Sequence, residues 1–385
     1  MTKTKLKVAV LGHGNKGSYF SNGLHQNSWS LAKMLNKSPI LDVSYYVQKN
    51  QMQEGVDSIY GIKLKPYGED ALKEDILFCT SYYPGEKDIE NLKNNNTKIV
   101  VAHYGNHLYY HLEDYVNFDS KNRKRMDLWP RKYQPECLPD IVIYSPHFAD
   151  QREYFGFVED LPVEKVVECP YIWTPQFLNR SIIESSKSLA DYCFSREHTE
   201  LNKNIVAMES NLSFTKTNFI PCLIAEQLHH ENPESFEHAW IFGSSAVREK
   251  EDSEYIRVAF NKLNVFKNKK ISFEARYSLP FILTKGKVLL SHQVLNALNY
   301  IYLEFAYFRL PFVHNSEMIG NAGYHYHRSN IYEGANQLEK ALNHSELSDA
   351  EIKIYNESCK ELLWKHSIEN PDNLEGYMDI IRSLY

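Results

Sequence analysis

Short apolar runs alternate with amphipathic segments along this chain, and the alternation starts afresh near residue 204. An apolar run bounded by turn residues reads as a strand buried on both faces. Strands that alternate with helices assemble as parallel α/β sheets. In the first half the runs predict strands at 6–11, 41–47, 76–79, 98–102, 141–144 and 165–169, and helices at 26–35, 86–93 and 108–114. In the second half they predict strands at 204–208, 239–242, 271–275, 288–291 and 311–314, and helices at 219–230, 253–263 and 299–308. The 385 residues are too many for one core and suit two domains of roughly 150–200 residues each. The expected division is 1–170 for the first domain, 171–200 for a crossover between Pro170 and Pro175, 201–350 for the second, and 351–385 for C-terminal helices interrupted at Pro371.

Composition narrows the class. No run of 18 apolar residues exists, so no membrane span is expected. The apolar run after the basic N-terminus has about six residues, too few for a signal peptide. Six cysteines lie scattered without a C-x-x-C pair, which suits free thiols in a reducing, cytoplasmic setting. The net charge of -6 argues against a surface built throughout for nucleic acid and leaves room for a local basic groove.

The first strand runs into Gly12-His13-Gly14-Asn15-Lys16-Gly17, a literal G-x-G-x-x-G. A dinucleotide site also needs a helix that begins at once and an acid closing the second strand. Asn22-Gly23 follows instead, a turn signal, which places the helix start near Gln26. The second strand ends in Gln48-Lys49-Asn50. Both requirements fail, so the dehydrogenase reading is set aside. What remains is an extended glycine-rich loop that lets a ligand approach the backbone, or a plain connection whose glycines serve only the turn.

Several segments, in order, resemble a family of bacterial and phage proteins long catalogued without a function. They are Asn22-Gly23-Leu24-His25-Gln26-Asn27, Pro170 to Leu178, Glu209 to Pro221, Ser291-His292-Gln293, Asn299 to Glu304, Pro311 to Ser316 and Gly323 to Tyr326. That family is similar to GT-B glycosyltransferases. The resemblance implies two Rossmann-like domains facing across a cleft, C-terminal helices packing back, an N-terminal acceptor domain and a C-terminal nucleotide-sugar domain. It also implies a nucleotide-sugar donor, a UDP-sugar in expectation. Asn22, Gly23 and Asn211 would contribute to binding the donor, and Lys216 with the hydroxyls of Ser213, Thr215 and Thr217 would hold the diphosphate. Lys216 suits charge-assisted hydrogen bonds to phosphate, although the Ser and Thr residues beside it also suit capping of the following helix. Glu304 would accept hydrogen bonds from two ribose hydroxyls, in a position where relatives carry Asp. Tyr300, His292, His314, Asn315 and Ser316 would line the pocket. No Asp-x-Asp occurs, and no histidines stand at zinc-ligand spacing, so no obligatory metal is expected.

An inverting reaction needs a base for the acceptor proton. The candidates are His103, Asp150, His13 and His25; a retaining reaction can dispense with one. The acceptor is approached through Lys121 to Tyr133, which carries six basic residues and one acid interleaved with aromatics. Arg123, Lys124, Arg125, Arg131 and Lys132 would meet a phosphate backbone, and the aromatics an extruded base; a solvated loop has the same composition. The resemblance to T-even-like phage relatives implies transfer of a sugar, arabinose in some, to hydroxymethylated cytosine in phage DNA. Bacterial members imply a surface polysaccharide or lipid-linked glycan instead. A non-catalytic nucleotide- or DNA-binding module that kept the fold is the alternative of another class.

Overall fold

The computed structural model describes residues 5–12, 23–52, 58–68, 71–80, 82–117, 139–185, 187–196, 201–211, 213–244, 258 and 260–385. They form two compact units, Met1–Thr174 with Trp364–Tyr385, and Pro175–Leu363.

The first unit is built on β1 (Leu6–Leu11), β2 (Leu41–Val47), β3 (Ser58–Ile59), β4 (Ile62–Pro66), β5 (Ile76–Cys79), β6 (Lys98–His103), β7 (Ile141–Tyr144) and β8 (Val166–Glu168). They form one sheet in the order β3-β4-β2-β1-β5-β6-β7-β8. Every pairing is parallel except β3 with β4. Val10 sits opposite Tyr45 on one side and Phe78 on the other, and all three are buried. This explains the continuous apolar runs, since a central parallel strand is covered on both faces. The covering helices are α1 (Gly23–Leu35), α2 (Glu86–Asn94), α3 (His107–Asn117) and α4 (Arg152–Glu159).

The second unit begins with α5 (Gln176–Glu184). Its strands are β9 (Asn204–Ala207), β10 (His238–Ile241), β11 (Ile271–Phe273), β12 (Val288–Leu290), β13 (Phe312–His314) and β14 (Tyr324–His325), in the order β11-β10-β9-β12-β13-β14. All are parallel. Counted along the chain this is 3-2-1-4-5-6, the Rossmann order, in which ligands bind beyond the strand ends where the order reverses. Here that point lies between β9 and β12. Its helices are α6 (Phe219–Glu231), α7 (Asn264–Lys267), α8 (Leu279–Ile282), α9 (Tyr300–Phe308), α10 (Ile331–Leu342) and most of α11 (Asp349–Lys365); α12 (Pro371–Arg382) belongs to the first unit. Gly334 of α10 lets the helix press on α6, because a Cβ there would lie 2.6 Å from Ile224 Cδ1.

The chain passes between the units twice, and the two passages pair within the first unit. The Trp173 amide donates to the His366 carbonyl (2.7 Å), and the Ile368 amide donates to the Trp173 carbonyl (3.2 Å). Buried Tyr377 of α12 donates to the Pro170 carbonyl at 3.2 Å. The helix start expected at Gln26 is corrected to Gly23. Three strands escaped the apolar-run reading for evident reasons. β4 alternates apolar residues with lysines, and β3 and β14 have only two residues each. The helix expected at 253–263 lies mostly outside the described residues.

Gly12 closes β1, and its place is set by packing. A Cβ there would lie 1.8 Å from the hydroxyl of Tyr45, a buried ring. Gly12→Ala is expected to cost about 3 kcal/mol, at the upper end of ordinary overpacking. Tyr45→Ala in the same chain is expected to recover part of the difference the second mutation makes alone. Urea unfolding of the two single variants and the double variant checks this non-additivity.

Candidate functional site

In the second unit, β9 ends at Ala207 and the chain turns into a loop that its own side chains hold. Asn211 adopts a left-handed backbone with φ of 50°, and its amide donates to the Lys216 carbonyl at 3.0 Å. Its side-chain oxygen receives the Asn218 amide at 2.8 Å. Asn218 is buried, and its side-chain amide donates to the Glu209 carbonyl (2.9 Å) and Ser244 Oγ (2.8 Å). Thr217 Oγ1 receives the Phe219 amide at 3.3 Å, on the first residue of α6. Gly243, with φ of 73°, comes so close that a Cβ would lie 3.1 Å from the Glu209 carbonyl oxygen. Side-chain amides thus do the turning that backbone pairing does elsewhere.

Glu209 ties this loop to the one after β12. Its carboxylate is buried and accepts from Ser291 Oγ at 2.6 Å and from the Gln293 side-chain amide. Gln293 in turn accepts from the Asn296 side chain at 2.8 Å. Asn315 reads the Gln293 backbone as a strand would, accepting its amide (2.9 Å) and donating to its carbonyl (2.8 Å). Ser316 Oγ donates to the Ala297 carbonyl. His292 Nδ1 is hydrogen-bonded to Tyr326 at 2.8 Å, and burial takes its pKa down to about 4. His314 is fully buried. Its Nδ1 accepts the Ser316 amide (3.1 Å), so Nε2 carries the proton and donates to the Ala322 carbonyl (2.9 Å). Burial holds its pKa at about 3, so it stays neutral with both nitrogens used inside the unit.

Charge gathers at these strand ends. Burial raises the Glu209 carboxyl above its usual range, opposed by the Ser291 hydroxyl, the Lys216 charge and the Gln293 amide. Lys216 is lowered, first by burial and further by the like charge of Arg276, with Glu209 acting against both. Arg276 stands three residues beyond β11 and also acts on Glu304. Asn299 caps α9, accepting the Ile301 amide. That helix buries Tyr300 and Tyr302 and leaves Glu304 partly covered, with a carboxyl that burial pushes up to about 7. The sequence reading named Lys216 and Glu304 for this site and missed Arg276. A basic residue just past a predicted strand, in Ala275-Arg276-Tyr277, was the available signal. It also left out of the site Gln293 and Asn218, whose importance comes from partners far away in the chain.

The candidate bases belong to the first unit. His103 ends β6, buried, with Nε2 3.0 Å from Oε1 of the wholly buried Glu159. Asp150 is exposed and accepts from Tyr109 at 2.9 Å. The two stand on adjoining loops, because Gln151 accepts the Leu108 amide (3.1 Å) and donates to Asn106 (2.7 Å). His25 is buried in the first turn of α1, which Gly23 begins. His13 and Asn22 lie outside the described residues, as do Arg123, Lys124, Arg125, Arg131 and Lys132. Among the described residues no three His, Cys, Asp or Glu side chains group as a metal site, and no helix is long and apolar enough to cross a membrane.

Solved structures of the same architecture are found at low identity. Sucrose-phosphate synthase from Thermosynechococcus elongatus matches with a TM-score of 0.57 at 12% identity, over 99% of each chain. A glycosyltransferase from Rickettsia africae matches with a TM-score of 0.55 at 12% identity, over 99% of this chain and 98% of that one. Anabaena HepE, solved in complex with UDP-glucose, matches with a TM-score of 0.52 at 11% identity, over 97% of this chain and all of the other. The fold is GT-B, as the sequence resemblance implied. No curated protein matches the sequence. The model of a family described as a protein of unknown function, DUF2827, matches residues 7–381, and this chain belongs to that family.

Proposed function

We propose that this chain is a glycosyltransferase whose second unit holds a nucleotide sugar, with UDP as the leaving group. The observation that carries the reading is the pair of cations at the strand ends, Lys216 and Arg276. They lie close enough for Arg276 to depress the proton affinity of Lys216. A diphosphate between them relieves that repulsion and receives charge-assisted hydrogen bonds. In the transition state the same cations stabilise the charge that develops on the departing nucleoside diphosphate. Glu304, in the field of Arg276, accepts from the ribose hydroxyls. Asn211 and Thr217 hold the loop that carries Lys216, while His292, Tyr300, His314, Asn315 and Ser316 shape the wall beside it. UDP-glucose bound to the structurally similar Anabaena HepE supports the choice of nucleotide.

For the acceptor we propose 5-hydroxymethylcytosine in phage DNA, with arabinose as the transferred sugar. The support is the basic, aromatic composition of 121–133 together with the resemblance to phage relatives. The described cysteines are all free thiols, which suits a cytoplasmic setting.

Four outcomes are expected. UDP raises the melting temperature of the chain, and Lys216→Ala or Arg276→Ala weakens UDP binding by about 10–100-fold, the worth of a hydrogen bond to a charged group. Calorimetric titration measures this, and unchanged affinity in both variants overturns the donor site. Glu304 must be ionised to accept from both hydroxyls, and its pKa is raised to about 7. UDP affinity therefore falls as the pH drops from 8 to 6, more steeply in the wild type than in Glu304→Gln. Hydroxymethylcytosine DNA incubated with a panel of nucleotide sugars yields a glycosylated nucleoside by mass spectrometry. Neutralising Arg123, Lys124 and Arg125 lowers the salt slope of duplex binding by about three charges' worth. Transfer to polysaccharide or lipid-linked acceptors with none to DNA rejects the DNA acceptor and keeps the donor site.

A further inference from the structure

We propose that Leu295 and Phe214 form an apolar lip within the second unit that packs against the sugar ring of the nucleotide sugar, with Leu295 held there in a left-handed backbone. The inference rests on the nucleotide-sugar reading above and adds to it the residues that meet the transferred group.

The two residues stand on the loops after β9 and β12, which one backbone bond joins. Ser213 to Lys216 form a tight turn, closed by the Lys216 amide donating to the Ser213 carbonyl at 3.1 Å. Within that turn the Thr215 carbonyl accepts the Val294 amide at 3.0 Å. Phe214 and Leu295 therefore each stand one residue from this bond, and Lys216 follows Thr215 directly. Ser213 and Thr215 are buried and hydrogen-bonded to each other at 3.1 Å. Phe214 between them is 43% exposed, and Leu295 is 46% exposed.

Leu295 has a φ of 53°. A side chain with a Cβ is strained in that conformation, which glycine adopts freely and asparagine tolerates. Among the described residues Leu295 is the one aliphatic side chain in the left-handed region. Asp160 and Arg309 use the same conformation to close α4 and α9, whereas Leu295 closes no helix. The backbone around it is fastened on both sides. Asn315 binds both backbone groups of Gln293, and Asn296 donates to the Gln293 side chain at 2.8 Å. The Ala297 carbonyl accepts from Ser316. Strain persists where the surroundings over-determine it, and such places cluster at ligand sites. A leucine kept half exposed, in a conformation that suits glycine better, beside a buried lysine, fits a contact made with a ligand.

The chemistry of the neighbours selects the part of the ligand. In the donor reading Lys216 and Arg276 take the diphosphate, and Glu304 takes the ribose. The base and the transferred sugar remain for an apolar surface. The lip belongs to the turn that carries Lys216 and not to α9, which carries Glu304 on the nucleoside side. A sugar bonded directly to the phosphate is the nearer of the two. Sugar rings carry C–H groups on their faces, which pack against leucine and phenylalanine with release of water.

The test uses the full-length chain and calorimetric titration with UDP and with UDP-glucose, UDP-galactose and UDP-arabinose. Leu295→Gly and Phe214→Ser are each expected to weaken the best-bound UDP-sugar about tenfold and to leave UDP affinity within about twofold of wild type. Leu295→Met is expected to restore most of the lost affinity, which a merely structural role for the loop would not predict. The melting temperature of Leu295→Gly is expected not to fall, because relief of the left-handed strain offsets the freedom that glycine adds to the unfolded chain. UDP-sugar affinities at the wild-type level in both variants overturn the lip and leave the donor site standing. An equal loss for UDP alone also overturns it, since the contact is then with the nucleotide. A wild-type chain that binds neither UDP nor any of the three sugars removes the donor reading, and the lip with it.

Discussion

The second unit depends on one buried carboxylate. Glu209 lies at the point where the strand order reverses, and its oxygens bind Ser291 and Gln293 from the far side of that point. Isolated burial of an acid costs several kcal/mol, so this one persists only because its acceptors are filled. The same contacts fix the β12 loop against the β9 loop. Asn315 then fastens the β13 loop to Gln293, and Asn218 fastens Glu209 to the start of α6. Three strand ends become one rigid edge, and Lys216 is carried on it. Preorganisation of this kind lets fixed charges act on a developing charge without first reorganising.

The first unit uses a different device at the matching place. Between β1 and β5, Thr80 donates to the Leu11 carbonyl (2.6 Å) and meets Ser28 of α1 (2.7 Å). Gly12 beside them makes room for the Tyr45 ring. A glycine that looks like the first position of a phosphate loop is therefore required by an aromatic side chain from the next strand. Motifs written in sequence letters record that a small residue is needed and do not record what it is needed for.

Legibility followed the range of the cause. Ile76–Cys79 and Ile141–Tyr144 are read to the residue, because a buried strand writes its environment into its own four letters. β4, half exposed and lysine-bearing, does not. In the site, Lys216 and Glu304 could be named because residues of that chemistry stand after strands in segments that resemble a family. Arg276 could not. It acts through Lys216 and Glu304, sixty and twenty-eight positions away. His314 shows the converse. Its type suited a pocket, but its two nitrogens are consumed by Ser316 and Ala322, which only the turn after β13 brings within reach.

By itself the sequence determined that this chain forms two parallel α/β units, because hydrophobic periodicity acts locally and repeats; their GT-B kind was implied by the family resemblance. It also determined which polar residues stand at strand ends. The tertiary structure alone decided which of those residues meet and which stay buried and neutral. Those properties depend on desolvation and on hydrogen-bond partners distant in the chain. Neither is a property of a segment, and both arise only when the sheets are assembled.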